Sequence, residues 1–401
     1  MNVIVALEHR FASTPDGAVW TQSPFVHAFW MRYLEVFDQV LVVARIKKVD
    51  SVSSLWKRAD GKGVLFATVP HYIGPWQYLL KAQQVNHAIR NTVGVKDAVI
   101  LRVSSQIAQC LEPVLHKNGH PYGVEVVADP YDVFAPGSVR NPLRPFFRWL
   151  FPRKLRRICG EASAASYVTE KALQRRYPPA PNSFATYYSD VELPDIAFAK
   201  VARSPRDSMD RFNLICVGTL AQLYKAQDVL INAVNLCVNQ GLDLKLTLVG
   251  DGKHRQELEA QTANLGIEER VCFRGQLTAG QAVRQELDRA DLFVLPSHQE
   301  GLPRAMIEAM ARGLPCIGSH VGGIPELLPD EDLVTPGDEA ALADKIREIV
   351  TDSERMSRMS FRNLEKAKNY HNEVLRERRN TYYRHLRQKT ELWLKNQVSG
   401  E

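Results

Sequence analysis

Short runs rich in valine, isoleucine and leucine, each followed by a longer amphipathic stretch, recur along this chain in two separate series. That alternation predicts parallel sheets covered by helices. The first series comprises residues 2–7, 39–44, 64–69, 97–103, 123–128 and 163–168, and the second comprises 212–217, 245–249, 271–273, 292–295 and 316–318. Between them, Lys200 to Arg211 is polar and charged, carries Pro205 and has no apolar periodicity, which marks a boundary. At 401 residues the chain can bury two cores of this kind. The expectation is an α/β protein of two doubly wound, Rossmann-like domains facing across a cleft. They would span residues 1–200 and 201–370, and a charged helical tail over 371–401 would pack back on the first domain. Ligands of such sheets sit beyond the carboxyl ends of the strands, so chemistry is sought in those loops.

Composition narrows the class. Hydrophobic residues make up 45% and charged residues 24%, the mixture of a folded soluble chain. Apolar runs such as Val3–Leu7 and Val40–Ala44 fall far short of the roughly 20 residues that cross a bilayer. Glu8, His9 and Arg10 follow too early for a secretory signal, which predicts a cytoplasmic protein. The six cysteines show no Cys-x-x-Cys spacing and read as buried thiols. The net charge of +6 is concentrated: Gly137–Arg157 holds seven bases and no acid, and Ser353–Glu401 holds twelve bases against six acids. The remainder is net acidic, and local positive charge of this kind suggests specific surfaces.

The densest signal is Leu295–Leu328, LPSHQEGLPRAMIEAMARGLPCIGSHVGGIPELL. A strand ends at Pro296, a polar loop carries Glu300, and Gly301, Leu302 and Pro303 open a helix. Free N–H groups at a helix start form an anion site without any side chain. Within the helix, Glu308 stands among Ala305, Met306, Ile307, Ala309 and Met310, where a carboxylate needs hydrogen-bond donors such as a ribose diol. Arg304 and Arg312, four residues to either side, offer the alternative of an exposed salt-bridged stripe.

Glu300 and Glu308, the Gly-Leu-Pro turn between them and Gly322-Gly323-Ile324-Pro325-Glu326 together resemble the signature of the retaining glycosyltransferases of family four, which have the GT-B fold. The resemblance implies that Glu300 contacts hydroxyls of a donor sugar and that Glu308 binds the ribose of a sugar nucleotide. Leu214–Ala233 resembles the family's first strand, loop and helix of the donor domain, which puts Gly218, Thr219 and Lys225 at the diphosphate. Many members carry an arginine where this chain has Thr219. Gly250 resembles a further loop position near the nucleotide. Arg274, Gly275 and Leu277 resemble the base-binding turn, with Arg274 a replacement for the absent cation. In the first half, Gly17 stands where many members place two glycines near the donor phosphates, and Asp129 stands where many have a histidine near the reacting sugar. A plain turn-forming aspartate is the alternative for Asp129. Arg10, Asp16 and Arg102 fall in strand-end loops as candidates for contact with acceptor or phosphate.

Residues 140–157 interleave five apolar side chains, Phe146, Phe147, Trp149, Leu150 and Phe151, with arginine and lysine, the pattern of a monotopic contact with an anionic membrane. RNA binding is the rival, without any nucleic-acid motif beside it, and simple packing of the aromatics is the other alternative. The function implied is metal- and cofactor-free transfer, with retention, of a sugar from a nucleotide-diphosphate sugar to a glycan or lipid-linked acceptor in cell-surface polysaccharide or glycoconjugate synthesis. A sugar-nucleotide epimerase of the same fold and a non-catalytic sugar-nucleotide or glycan-binding subunit are the alternatives.

Overall fold

A computed structural model describes residues 1–90, 92, 96–135, 142–204 and 211–399. Two sheets divide the chain. The first is built from β1 (Val3–Ser13), β2 (Val19–Thr21), β3 (Val40–Lys48), β4 (Lys57–Arg58), β5 (Val64–Pro70), β6 (Ala98–Val103), β7 (Tyr122–Val126), β8 (Ala164–Tyr167) and β9 (Phe184–Tyr187). The second contains β10 (Phe212–Val217), β11 (Leu244–Val249), β12 (Val271–Gly275), β13 (Leu292–Leu295), β14 (Cys316–Ser319) and β15 (Leu333–Val334). Around the first sheet lie α1 (His27–Leu34), α2 (Gly74–Arg90), α3 (Gln106–Lys117), α4 (Pro130–Val133), α5 (Arg144–Glu161) and α6 (Ala172–Arg176). Around the second lie α7 (Gln227–Asn239), α8 (Arg255–Asn264), α9 (Gln281–Arg289), α10 (Arg304–Ala311), α11 (Glu339–Val350) and α12 (Ser353–Ala367), before α13 (Asn372–Ser399).

The first sheet runs β5-β3-β1-β6-β7-β8-β9, all parallel, with the β2–β4 pair added antiparallel beyond the end of β1. The second runs β12-β11-β10-β13-β14-β15, also parallel. Strands such as β6, AVILRV, are buried along their whole length because helices cover both faces. In both sheets the strand order reverses beside the first strand, at β1/β6 and β10/β13, and the crevice beyond such a reversal is where doubly wound sheets take ligands.

The sequence suggests a loop after Leu7, but β1 continues to Ser13. Its second half pairs with the equally extended β3 after an irregularity between Ala6 and Arg10, so this region is a sheet extension closed by a tight turn. The last helix crosses back to the first sheet. Tyr383 stacks on Tyr33 with ring centroids 4.8 Å apart, and Asn380 donates to Glu35 at 2.7 Å. Four cysteines are buried free thiols, whereas Cys110 and Cys272 are only half-buried. Among the described residues no helix is long and apolar enough to cross a membrane.

Candidate functional site

At the β10/β13 reversal, two residues 75 positions apart in sequence meet: Lys225 Nζ lies 2.5 Å from Glu300 Oε1, and Ser297 Oγ donates to the same oxygen at 2.8 Å. Both charged side chains are largely buried. Lys225 reaches the pair because Gly218 leaves room: a Cβ there would stand 3.1 Å from Lys225 Cγ. Gly250, at φ +138°, closes the next loop, and a Cβ on it would fall 1.9 Å from the carbonyl oxygen of Gly218, so no side chain fits. Its N–H donates to the Gly275 carbonyl at 2.9 Å. The Thr219 hydroxyl accepts from Ala221 N at 3.1 Å. Gln299 Oε1 and Gln227 Oε1, flanking the pair in sequence, are buried without a protein partner.

Leu302 and Pro303 are buried, and Pro303 occupies the cap position of α10 rather than its first turn. No side chain caps this helix, so its first N–H groups have no side-chain acceptor. The Gly322–Gly323 turn supports the loop from behind: Gly323 N donates to Gly301 O at 2.7 Å, and a Cβ on Gly322 would meet Glu300 O at 2.0 Å. Glu308 projects from α10 half-buried, and among the described residues its carboxylate has neither hydrogen-bond nor ion-pair partner. Burial raises its pKa above the ordinary range, against the opposing pull of Arg304 and Arg284. The salt-bridged stripe does not form, since Arg312 turns to Asp288 at 2.7 and 3.1 Å.

The site lies where the two domains touch. A Cβ on Gly301 would stand 3.4 Å from the Val127 carbonyl oxygen, and one on Gly323 would stand 2.9 Å from Thr169. Glu326 crosses the gap, its carboxylate accepting from the backbone N–H groups of Glu170, Lys171 and Ala172 at 2.6, 2.9 and 2.5 Å. Ser297, Gln299 and this function of Glu326 carry no signal in one sequence, since each depends on contacts between distant segments.

Residues 211–352 match the family model described as glycosyl transferases group 1. The likeness to group 1 glycosyl transferases lies in the second half of the chain. The chain is 28% identical over 331 residues to Protein CapJ of Staphylococcus aureus, covering 81% of each. It is 36% identical over 152 residues to the N-acetyl-alpha-D-glucosaminyl L-malate synthase of Bacillus anthracis, covering 37% of this chain and 39% of that one. Sucrose-phosphate synthase from Thermosynechococcus elongatus superposes with a TM-score of 0.67 at 17% identity, over 96% of this chain and 98% of that one. Anabaena HepE in complex with UDP-glucose superposes with a TM-score of 0.63 at 17% identity, over 99% and 100%. The fold of the whole chain is therefore GT-B.

Within this GT-B frame several candidates have other duties. Asp129 caps α4, accepting from Tyr131 N at 2.8 Å, and its remaining lone pairs take the Arg176 guanidinium and the Tyr177 hydroxyl. These contacts fit the turn alternative. Arg102 is not in a loop: it is buried in β6 between Glu125 and Asp190. Asp16 fixes the turn after β1, accepting from Thr14 Oγ1 at 2.5 Å. Gly17, at φ +83°, opens onto a cleft lined by His27, Asp60 and Phe66, all in the N-terminal domain. Arg274 is the extra residue of a bulge in β12 and pairs with Glu286 on α9 at 2.8 Å, so it is committed elsewhere. Gly275, at φ +70°, makes that bulge possible, and Leu277 packs half-buried on the core. Arg10 is exposed near the end of β1.

The basic aromatic segment is partly internal. Phe147 and Phe151 pack on Phe134 with centroids 5.6 and 5.4 Å apart, whereas Phe146 and Trp149 are half-exposed. Arg148 lies over Tyr131 at 3.9 Å and Arg153 over Trp149 at 4.1 Å, while Arg140 falls outside the described residues. Among the described residues one group of potential metal ligands converges, Glu112, His116 and Glu161 on α3 and α5, remote in sequence from Lys225 and Glu300; Arg157 already pairs with Glu112.

Proposed function

We propose that this protein is a retaining glycosyltransferase that moves a sugar from a nucleotide-diphosphate donor to a hydroxyl of a glycan or lipid-linked acceptor, in polysaccharide or glycoconjugate synthesis. The single observation that carries the reading is the convergence of Lys225, Glu300 and the uncapped start of α10 at one strand-order reversal, with an unpartnered Glu308 on the same helix. The ammonium and carboxylate satisfy each other. An arriving donor would exchange partners: the diphosphate takes Lys225 and the α10 N–H groups, and the sugar hydroxyls take Glu300. These groups stabilise negative charge growing on the departing diphosphate as the bond to the anomeric carbon breaks, and the closed, low-dielectric cleft strengthens them. Glu308 accepts from the ribose hydroxyls. Relatives with names such as the lipopolysaccharide 1,6-galactosyltransferase of Salmonella typhimurium favour this class of acceptor. The exposed Phe146, Trp149 and neighbouring arginines support peripheral contact with an anionic membrane.

Product analysis tests this reading. With a panel of UDP-, GDP- and ADP-sugars, the anomeric proton coupling of the product is expected to match that of the donor, and transfer is expected to continue in EDTA. An inverted product, or activity that vanishes with EDTA and returns with magnesium, contradicts it.

A further inference from the structure

The α2 helix, GPWQYLLKAQQVNHAIR, carries no acidic residue and presents an apolar face that none of the described residues covers. Ile73, Trp76, Leu79 and Leu80, spaced to share one side of a helix, are each more than half exposed. Contiguous apolar exposure of this kind marks an interaction site rather than a random surface.

Beside it lies a cluster of cations. Arg10 pairs in register with Arg45, and side chains of paired residues leave a sheet on the same face. Lys47, two positions on, shares that face, and His71 follows Pro70, the partner of Ile46. The face is the one covered by α2, because Val43 and Val69 on it join the α2–α3 core. Lys81 of α2 donates to the His71 carbonyl at 2.7 Å. The nearby Glu8 is already taken: it accepts from Arg45 at 2.8 Å, from Tyr72 at 3.1 Å and from the N–H of Gln106 at 2.9 Å. Among the described residues neither Arg10 nor Lys47 has a carboxylate partner, and Arg45 Nε is buried without an acceptor. His71 is held below its usual pKa first by burial and then by Arg45, Arg10, Lys47 and Lys81, which confirms that these cations converge on it.

We propose that this edge of the N-terminal domain binds the phosphate or diphosphate group of a membrane-embedded lipid acceptor, with Arg10, Lys47 and Lys81 on the phosphate and the apolar chain along Ile73, Trp76, Leu79 and Leu80. The inference rests on the glycosyl-transfer reading and specifies its acceptor class. The phosphate site lies at the carboxyl-terminal halves of β1 and β3, the end of a doubly wound sheet at which ligands sit, so a bound lipid would present its head there. The α5 surface supplies a second contact on the same helical layer, because α3 touches α2 through Gln106 and Tyr78 and touches α5 through Gln109 and Lys154.

Flotation of the full chain with vesicles tests it, using phosphatidylcholine alone or doped with phosphatidic acid. Phosphatidic acid should recruit the wild-type chain. R10A/K47A is expected to weaken that recruitment roughly thirtyfold, two cations near an anionic surface being lost, and L79E/L80E is expected to abolish it. Millimolar inorganic phosphate should leave wild-type recruitment in place. Unchanged flotation of either variant overturns the proposal, as does displacement by free phosphate. A change of oligomeric state in L79E/L80E with vesicle binding intact also overturns it, because a second copy would then cover the face. Donor titration of the same proteins separates the two readings: bound donor without lipid recruitment sinks only the acceptor site, whereas no donor binding by the wild type sinks the transferase reading.

Discussion

Replacing Glu300 by glutamine is expected to lower turnover roughly 10²- to 10³-fold, the usual loss when one preorganised electrostatic group is removed from a reacting centre. Lys225→Ala is expected to lose a similar factor. The amide keeps the shape of Glu300 and its contact with Ser297 Oγ, so the loop after β13 should remain folded. Lys225 and Glu300 act on one charge redistribution, so the double variant should lose much less than the product of the single losses. Steady-state kinetics with saturating acceptor checks this. Turnover near wild type in either single variant contradicts the assignment.

The second large effect is on stability. Arg102→Met is expected to destabilise the N-terminal domain by about 3–5 kcal/mol, because it strands the buried Glu125 carboxylate without a cation and leaves Asp190 with Arg32 alone. Arg102 bridges Glu125 on β7 and Asp190 after β9. Glu125 also accepts from Tyr33, Tyr188 and Tyr383, which ties α1, the segment after β9 and α13 to one buried carboxylate. For Asp190, burial works to raise the pKa, but Arg102 and Arg32 hold it down to about 2. A depressed carboxylate stabilises the fold above its unfolded pKa, so this contribution is present at neutral pH and disappears as pH falls from about 4 towards about 2. In Arg102→Met the acid limb should flatten over that window. A urea midpoint and an acid limb unchanged from wild type contradict this account.

The two Rossmann-like sheets were legible because central parallel strands are buried on both faces and appear as continuous apolar runs. Strands β2, β4, β9 and β15 were not, since short edge strands with polar faces carry no such run; β9 is FATY and mostly half-exposed. Lys225, Glu300 and Glu308 were legible through motif resemblance, and the geometry adds what resemblance lacked: the first two are in contact and the third is unpartnered. The N-terminal candidates fared worse for a physical reason. A charged residue near a strand end has the same local sequence whether it is exposed, as Arg10 is, or enclosed by distant partners. Asp190 and Tyr177, which enclose Arg102 and Asp129, lie 88 and 48 residues away in the chain. Glu326 shows the converse, a motif residue whose work as an interdomain clasp is visible only once both domains are assembled.

Calorimetric titration with UDP, GDP and ADP, comparing wild type with Glu308→Ala, tests the central claim most directly. One of the three nucleotides is expected to bind the wild type. The variant should bind it roughly 10- to 100-fold more weakly, the loss of one or two hydrogen bonds to a charged acceptor. Equal affinity in both proteins, or no binding of any nucleotide to the wild type, contradicts the placement of a nucleotide sugar at Lys225, Glu300 and Glu308.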